Sequence, residues 1–538
     1  MSDRVKFLVY VVDPFRVRDS VCCIYAADEG AKEIKLSELA QLDGPVLSLY
    51  IGYLLDELRQ ANFGPPAQLI DIGDALRLSE GRPKDEGGEQ LWDTWKSLAK
   101  VADSSTKVKA LKDIFHSKSL WPSRDVLVSE TMWLAETMAN LWRKTSEKLT
   151  SQDELRRFED VEIPIRGIFN HRQIKGICVN KDNLAELLRK VASEKYSAFL
   201  RIAPAIGRSP QSANYWNLTD YLAGTELNHL SNEKDGGSLR DSLRLASSHS
   251  TLAQDFLDFI DAGRDETTLK RCLSNEGRVF PIFSTMGTVT GRILVSEPSL
   301  QQLRRPYRQV IEPTPDHYFI YLDYAQFEPG VVAFLSNDKE FIDRYNEGDL
   351  YSSLSVHLYG SVEKRKLCKR VFLAYCYGMS EEALSKLLLP SDAGEDQRKI
   401  LGKSIETFFS TFRGLRSLKE QCQSDLSREG LVSSLFGNRR YRVHGGSLTA
   451  KERRWALNQR VQATASLIFK EALVRIVHKF GADSVVLPMH DAILLEIPAN
   501  YDFAKAASDA SVELRAAFES RLPGVISRVT CEDFTHSQ

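Results

Sequence analysis

The chain has 538 residues, 43% apolar and 27% charged, with a formal net charge of −2. That length holds roughly three to four ordinary domains, and the balance is that of a globular chain rather than a disordered or fibrous one. No run of about 18 uncharged apolar residues occurs, so no transmembrane helix is expected, and the opening Met1–Tyr10 reads as neither a signal nor a transit peptide.

The eight cysteines are irregularly spaced, without a Cys-x-x-Cys pair, which argues against zinc knuckles and a disulfide framework. A reducing interior, the cytoplasm, fits best. Near-zero net charge says nothing about nucleic-acid binding, which needs only local basic surface. Such clusters occur in the second half: Arg304-Arg305 with Arg308, Lys364 to Arg370, Arg439-Arg440 with Arg442, and Lys451 to Arg454. Any one of them alone reads as a solvated helix face.

In chain order, apolar runs predict strands at Phe7–Val12 and Val21–Ala26, and a third at Val46–Tyr50 that leads into a helix. Ser79 to Gly88 reads as a loop, and Gln90 to Lys148 as mostly helical. Glu154 to Phe280 is charged and helical, with a loop at Gly236-Gly237. From Arg278 onward short strands and helices alternate, so the fold class is α/β (α+β). No internal repeat is present.

Three segments carry chemistry. Tyr318 to Glu328 opens on an aromatic and apolar run that ends in Asp323, and a carboxylate at the end of a buried strand is costly to desolvate unless a cation binds it. Taken alone, Asp323 reads as a helix cap. Ser484 to Ile497 holds two apolar runs around His490-Asp491, which predicts a hairpin with those residues at its tip. Two carboxylates on separate strands are what a pair of Mg²⁺ ions would use in an in-line phosphoryl displacement. In the third segment Arg365, Lys369, Leu373 and Tyr377 fall at helical spacing on one stripe that Gly378 ends. Two cations there could hold a triphosphate.

In the order they occur, these segments resemble motifs A, B and C of family A DNA polymerases, the bacterial DNA polymerase I type. Asp323-Tyr-Ala-Gln-Phe-Glu328 resembles motif A, Arg365 to Gly378 motif B, and His490-Asp491 motif C. Thr290-Gly-Arg292 with Gln301-Gln302, Leu435 to Tyr441, Arg454 to Ala465, and Glu162 to Asn180 resemble further family segments, so the likeness covers about Glu159 to the C-terminus. Several matches in the right order are far more specific than one.

The resemblance implies a right-hand polymerase preceded by an RNase H-like, exonuclease-type domain. The expected division is 1–150 for that domain and 151–538 for the polymerase, with thumb 182–280, palm 281–340 and 456–538, and fingers 341–455. Asp323 and Asp491 would be catalytic and hold two Mg²⁺ ions, for which Mn²⁺ can stand in. Arg365, Lys369, Leu373, Tyr377, Glu328, Gln326 and Tyr351 would bind the dNTP, with Glu328 as a steric gate against a 2′-hydroxyl. Arg292, Arg454, Asn458, Gln462, His490, Thr290, Gln301 and Gln302 would contact primer-template DNA. The implied partners are primer-template DNA and dNTPs, with no membrane. The implied location is cytoplasmic, on the nucleoid in a bacterium. A processivity or repair partner stays open, as does the choice among mobile-element replication, repair and lesion bypass.

Several positions depart from the family pattern. Ala492 replaces a Glu, Pro329-Gly330 a Leu-Arg, Leu373 an aromatic, Tyr351 a His and Pro488 a Gln. Altered efficiency or fidelity is expected rather than inactivity. The N-terminal segment lacks the exonuclease carboxylates: Asp13 is followed by Pro14-Phe15, Leu54 stands at an Asp position, and Met132 to Glu136 lacks the Tyr-x-x-x-Asp form. An inactive exonuclease-like domain is expected, so no proofreading, and the chain is too short for a 5′-nuclease domain as well. The rivals are a single-subunit RNA polymerase, against which Glu328 argues, and a non-enzymatic binding module, against which the retained Asp323, Asp491, Arg365 and Lys369 argue.

Overall fold

The computed structural model describes residues 5–13, 19–86, 89–207, 221–222, 224–231, 239–274, 276–389 and 393–535. The expected loop at Gly236-Gly237 and the Pro14-Phe15 pair lie outside them.

A five-stranded sheet opens the chain: β1 (Lys6–Val11), β2 (Val21–Ala26), β3 (Gly30–Glu33), β4 (Pro45–Ser48) and β5 (Gln68–Asp71), in the order β3-β2-β1-β4-β5. β4 is parallel to both β1 and β5, while β2 is antiparallel to its neighbours. The alternation of β1 fixes its two faces. Phe7, Val9 and Val11 join one apolar core and Leu8 the other, so both faces of the sheet are covered. The third expected strand stops at Ser48, because Tyr50 turns into the left-handed region (φ 49°) and starts α1 (Ile51–Gln60). The polar edge strand β3 and the short β5 carry too little apolar pattern to be foreseen. α2 (Ile72–Glu80) runs into the expected loop until Gly81 (φ 57°) caps it. Beyond it lie α3 (Thr94–Ala99), α4 (Ser105–Phe115) and the long α5 (Arg124–Ser151).

The remainder is built on α6 (Ile163–Lys175), the paired helices α7 (Lys181–Ile206) and α8 (Thr251–Arg271), and a second sheet. Its strands are β6 (His317–Ala325), β7 (Val485–Met489), β8 (Ala492–Pro498) and β9 (Arg528–Glu532), in the antiparallel order β7-β8-β6-β9. Around it lie α9 (Phe327–Ser336), α10 (Leu350–Tyr359), α11 (Arg365–Cys376), α12 (Ala450–Phe480) and α13 (Phe503–Arg521). α12 opens on a reciprocal cap between Thr449 and Glu452. α10 and α11 sit in a cluster of rings, with Phe341 stacked on Phe412 at 4.5 Å and Phe372 5.2 Å from Phe409.

Buried charges brace the second part and tie it to the first. Lys470 of α12, fully buried, reaches Glu162 at 2.5 Å, and Arg157 donates to Glu162 (2.9 Å) and to Glu154 (3.2 Å). Glu154 also accepts the backbone N–H of Asn438. Arg166 of α6 donates to Asp74 of α2 at 3.0 Å. Among the described residues, no helix is long and apolar enough to cross a membrane.

Candidate active site

Asp323 lies inside β6, opposite Ala492 of β8 on one side and Thr530 of β9 on the other. It is therefore no helix cap: the residue that caps α9 is Gln326. β7 and β8 form the expected hairpin, with Met489 opposite Ala492 and His490-Asp491 in the turn, where His490 takes a left-handed φ of 62°. The N–H of Tyr324 donates to the Asp491 carbonyl at 3.2 Å, which brings the turn against β6. Burial, and then the neighbouring Asp491, push the Asp323 carboxyl up to about 6, against the pull of Lys369.

Two carboxylates that repel each other in a partly dry setting form a donor set that a hard divalent cation relieves. Among the described residues, no group of three or more His, Cys, Asp or Glu could hold a metal. Any further oxygens for a cation between Asp323 and Asp491 would come from water and phosphate, the usual habit of Mg²⁺. The residues present therefore fit a Mg²⁺ site.

Among the residues expected to bind the dNTP, Arg365 and Lys369 are exposed on α11 and lie 5.5 and 6.0 Å from the ring of Tyr351. Tyr351 is buried, edge-on to Phe372 at 5.7 Å. Leu373 is half-buried, and its carbonyl accepts the N–H of Tyr377, the residue closing α11 before Gly378 (φ 89°). Gln326 has an internal role: its side-chain oxygen accepts the N–H of Leu350 at 3.1 Å, joining α9 to α10. Glu328 is 7% exposed and bonded by Arg292. Burial pushes its carboxyl up to about 7 despite that guanidinium.

Of the residues expected to contact DNA, Arg292 and His490 converge with Asp491 on a crevice of about 20 Å³. Asn458 and Gln462 are half-buried on α12, and Arg454 packs against Gly378. Thr290 is buried, 2.9 Å from the Thr288 hydroxyl. Gln302 is exposed and accepts from Arg264 at 3.1 Å. Gln301 differs from the expectation of a DNA contact. Its amide is turned inward, accepting from Val295 N–H (3.0 Å) and donating to the Pro488 carbonyl (2.7 Å), because these strand ends are buried and need partners.

The structure adds residues that the motifs do not name. Asp349 caps α10 and binds Arg365, and Glu532 of β9 binds Arg305 beside Asp323. Asp349 had a signal, an Asp directly before a helical pattern; Glu532 had none. The departure at Gly330 has a packing reason, since a Cβ there would lie 2.6 Å from the Tyr345 hydroxyl and 2.8 Å from Phe518.

An antiparallel sheet bearing two apposed carboxylates, flanked by a helix presenting cations and an inward-facing Glu, is the construction of a right-hand polymerase. The family model for DNA polymerase family A matches residues 216–526, and the chain belongs to that family. DNA polymerase I of Treponema pallidum is 26% identical over 400 residues, 68% of this chain and 39% of that protein. The thermostable DNA polymerase I of Thermus aquaticus is 27% identical over 396 residues, 67% and 46% of the two chains. DNA polymerase theta of Caenorhabditis elegans is 33% identical over 263 residues, 46% and 16%. The chain thus spans less than half the length of these curated relatives. Among solved structures, the POL domain of Pol1 from M. smegmatis, in complex with DNA primer-template and dNTP, shares the fold with a TM-score of 0.73 at 20% identity, covering 98% of this chain and 94% of that one.

Proposed function

We propose that this chain is a DNA-templated DNA polymerase that adds dNTPs to a primer 3′-hydroxyl and releases pyrophosphate, using two divalent ions. One observation carries the reading: the pairing of β6 with β8 sets Asp491 against Asp323 on a cleft that Lys369 also faces. Bound at these two carboxylates, Mg²⁺ or Mn²⁺ would lower the pKa of the primer hydroxyl and offset charge on the leaving phosphate.

The chain's own residues do the rest. Asp323 and Asp491 hold the cations. Lys369 takes a triphosphate oxygen, and Arg365 takes another once released from Asp349. Glu328, held by Arg292, walls the sugar, while Leu373 and Tyr377 bound the base and Tyr351 supports the two cations from beneath. Gln326 acts indirectly, through α10. Arg292, Arg454, Asn458, Gln462, His490, Thr290 and Gln302 face the primer-template duplex, with Gln301 bracing β7 behind them.

The division into an N-terminal part of about 150 residues and a polymerase of thumb, palm and fingers is supported by α5, which ends at Ser151. The N-terminal part is an exonuclease-type domain that no longer cuts. Leu54 packs into its apolar core where a carboxylate would be needed, and Glu136 points to solvent. The protein works on DNA in the cytoplasm without proofreading. Primer extension with Mg²⁺ and dNTPs tests this. Wild type should extend the primer, Asp323→Ala and Asp491→Ala should not, and no version should shorten it when dNTPs are withheld. Equal extension by wild type and both variants would overturn the reading.

A further inference from the structure

The proposed chemistry leaves one carboxylate near Asp323 unused, that of Glu532 at the end of β9. Strand register places it. Residues directly opposite in an antiparallel pair point their side chains to the same face, as do residues two apart on one strand. Asp323 is opposite Thr530, and Tyr321 is opposite Glu532. Asp323, Thr530 and Glu532 therefore share one face of the second sheet, with Glu532 diagonal to Asp323. Diagonal neighbours in such a ladder sit about 7–8 Å apart, a gap that two carboxylates with solvent between them can span. On the other flank of Asp323, β8 places Ala492 and Leu494 on this face. Of the two flanking strands, only β9 offers side-chain oxygens there.

The Glu532 carboxylate is held through both oxygens. Arg305 bonds Oε2, and the Thr530 hydroxyl lies 3.3 Å from Oε1. That hydroxyl also lies 3.4 Å from the Asp323 carbonyl, so Oε1 is the oxygen turned toward Asp323. Arg305 is set in turn 6.0 Å from the Tyr321 ring. After burial, the charges that act on the Asp323 carboxyl are Asp491, Lys369, Glu532 and Arg305, in that order. The Arg305 and Glu532 side chains keep 28% and 29% of their exposure, and a partly exposed pair of this kind adds little to folding. Stability alone is thus a weak reason for it.

A hard divalent ion on two protein carboxylates keeps several waters, and groups that accept hydrogen bonds from its ligands orient them and raise affinity. We propose that Glu532 is a positioning residue for the cation at Asp323, its carboxylate accepting a hydrogen bond from a water on that ion. Arg305 keeps the carboxylate in place and competes for it. The inference rests on the reading of Asp323 and Asp491 as metal ligands.

The test uses the full chain without DNA or nucleotide, titrated with Mn²⁺, the free ion being read from its electron paramagnetic resonance signal. Glu532→Gln keeps the size of the side chain and removes its charge. It should weaken Mn²⁺ binding by about tenfold, the low end of what loss of such a partner costs. Arg305→Gln should instead tighten binding by about two- to fivefold, because it frees the carboxylate and removes a cation beside Asp323. The affinity ratio of wild type to Glu532→Gln should persist in about 1 M KCl, where charge acting only through solvent is screened within about 3 Å. In primer extension, Glu532→Gln should need about tenfold more Mg²⁺ for half its maximal rate, with that maximal rate little changed. Mn²⁺ binding lost in Asp323→Ala but unchanged in Glu532→Gln would overturn this proposal alone. Binding unchanged in Asp323→Ala would overturn the metal reading and the proposal with it. Two further results would also sink the proposal. Equal weakening by Glu532→Gln and Arg305→Gln would mark the pair as a brace for β9, and collapse of the ratio in KCl would leave only a long-range charge effect.

Discussion

The carboxylate of Asp349, at the start of α10, binds the guanidinium of Arg365, at the start of α11. Despite partial burial, hydrogen bonds from Ser352 and Arg365 hold the Asp349 carboxyl below its usual range. On the proposed reading, a triphosphate competes with that carboxylate for Arg365. Asp349→Asn keeps the helix cap and removes the competing charge. It should lower the KM for dNTP by about two- to fivefold, as a partly exposed pair of up to about 1 kcal/mol allows, with kcat little changed. Steady-state incorporation kinetics check this; a raised KM would show that Asp349 positions Arg365 instead.

Lys470 and Glu162 are both almost fully buried and bonded to each other. Removing one partner strands the other charge, so Lys470→Met should cost about 3 kcal/mol, toward the low end because Arg157 still reaches Glu162. The double variant Lys470→Met/Glu162→Gln should recover part of that loss in urea denaturation. Equal losses for the single and the double variant would refute this account.

Much of the candidate site was legible because its parts carry local signals. An apolar run reaches Asp323, although the strand carries on to Ala325, His490-Asp491 sit between two such runs, and the α11 stripe repeats at helical spacing. What sequence could not give was pairing over distance. Lys470 and Glu162 are 308 residues apart, and each alone reads as an ordinary surface charge. Gln301 carries the residue type of a DNA contact, but its inward turn is decided by the buried carbonyls of Ile293 and Pro488. The strand β3 was missed because an edge strand of Gly, Ala, Lys and Glu has no apolar alternation to detect.

Gly330 leaves the space that Tyr345 fills. Gly330→Ala should destabilise the protein by about 1–3 kcal/mol through overpacking. The Tyr345 hydroxyl is buried and has no hydrogen-bond partner, so Tyr345→Phe should cost little alone and should restore part of the loss in Gly330→Ala. Thermal melting of the three variants is the check, and additive losses would argue against the contact.

Asp71 is half-buried where β5 meets α2, and the burial of its carboxyl, with the neighbouring Asp74, pushes it up to about 6. A raised carboxyl favours the protonated form in the folded protein. Ionisation therefore costs nothing below the unfolded value near 3.8, an increasing amount between 3.8 and about 6, and a constant amount above. The melting temperature of Asp71→Asn minus that of wild type should rise from pH 4 to pH 7 and then level off. A difference independent of pH would sink this assignment.

Arg172 of α6 is 1% exposed and donates to the Val485 carbonyl at 2.7 Å, across 313 residues. The strand that leads to His490 and Asp491 is thus anchored on a helix made long before it. During synthesis this arginine must wait for the Val485 carbonyl until a further 313 residues have been made. Closure of so long a loop places completion of the Asp323–Asp491 cleft among the last events of folding. Nascent chains cut short before β7 would carry the N-terminal domain and the cations of α11, but no Asp491 to set beside Asp323.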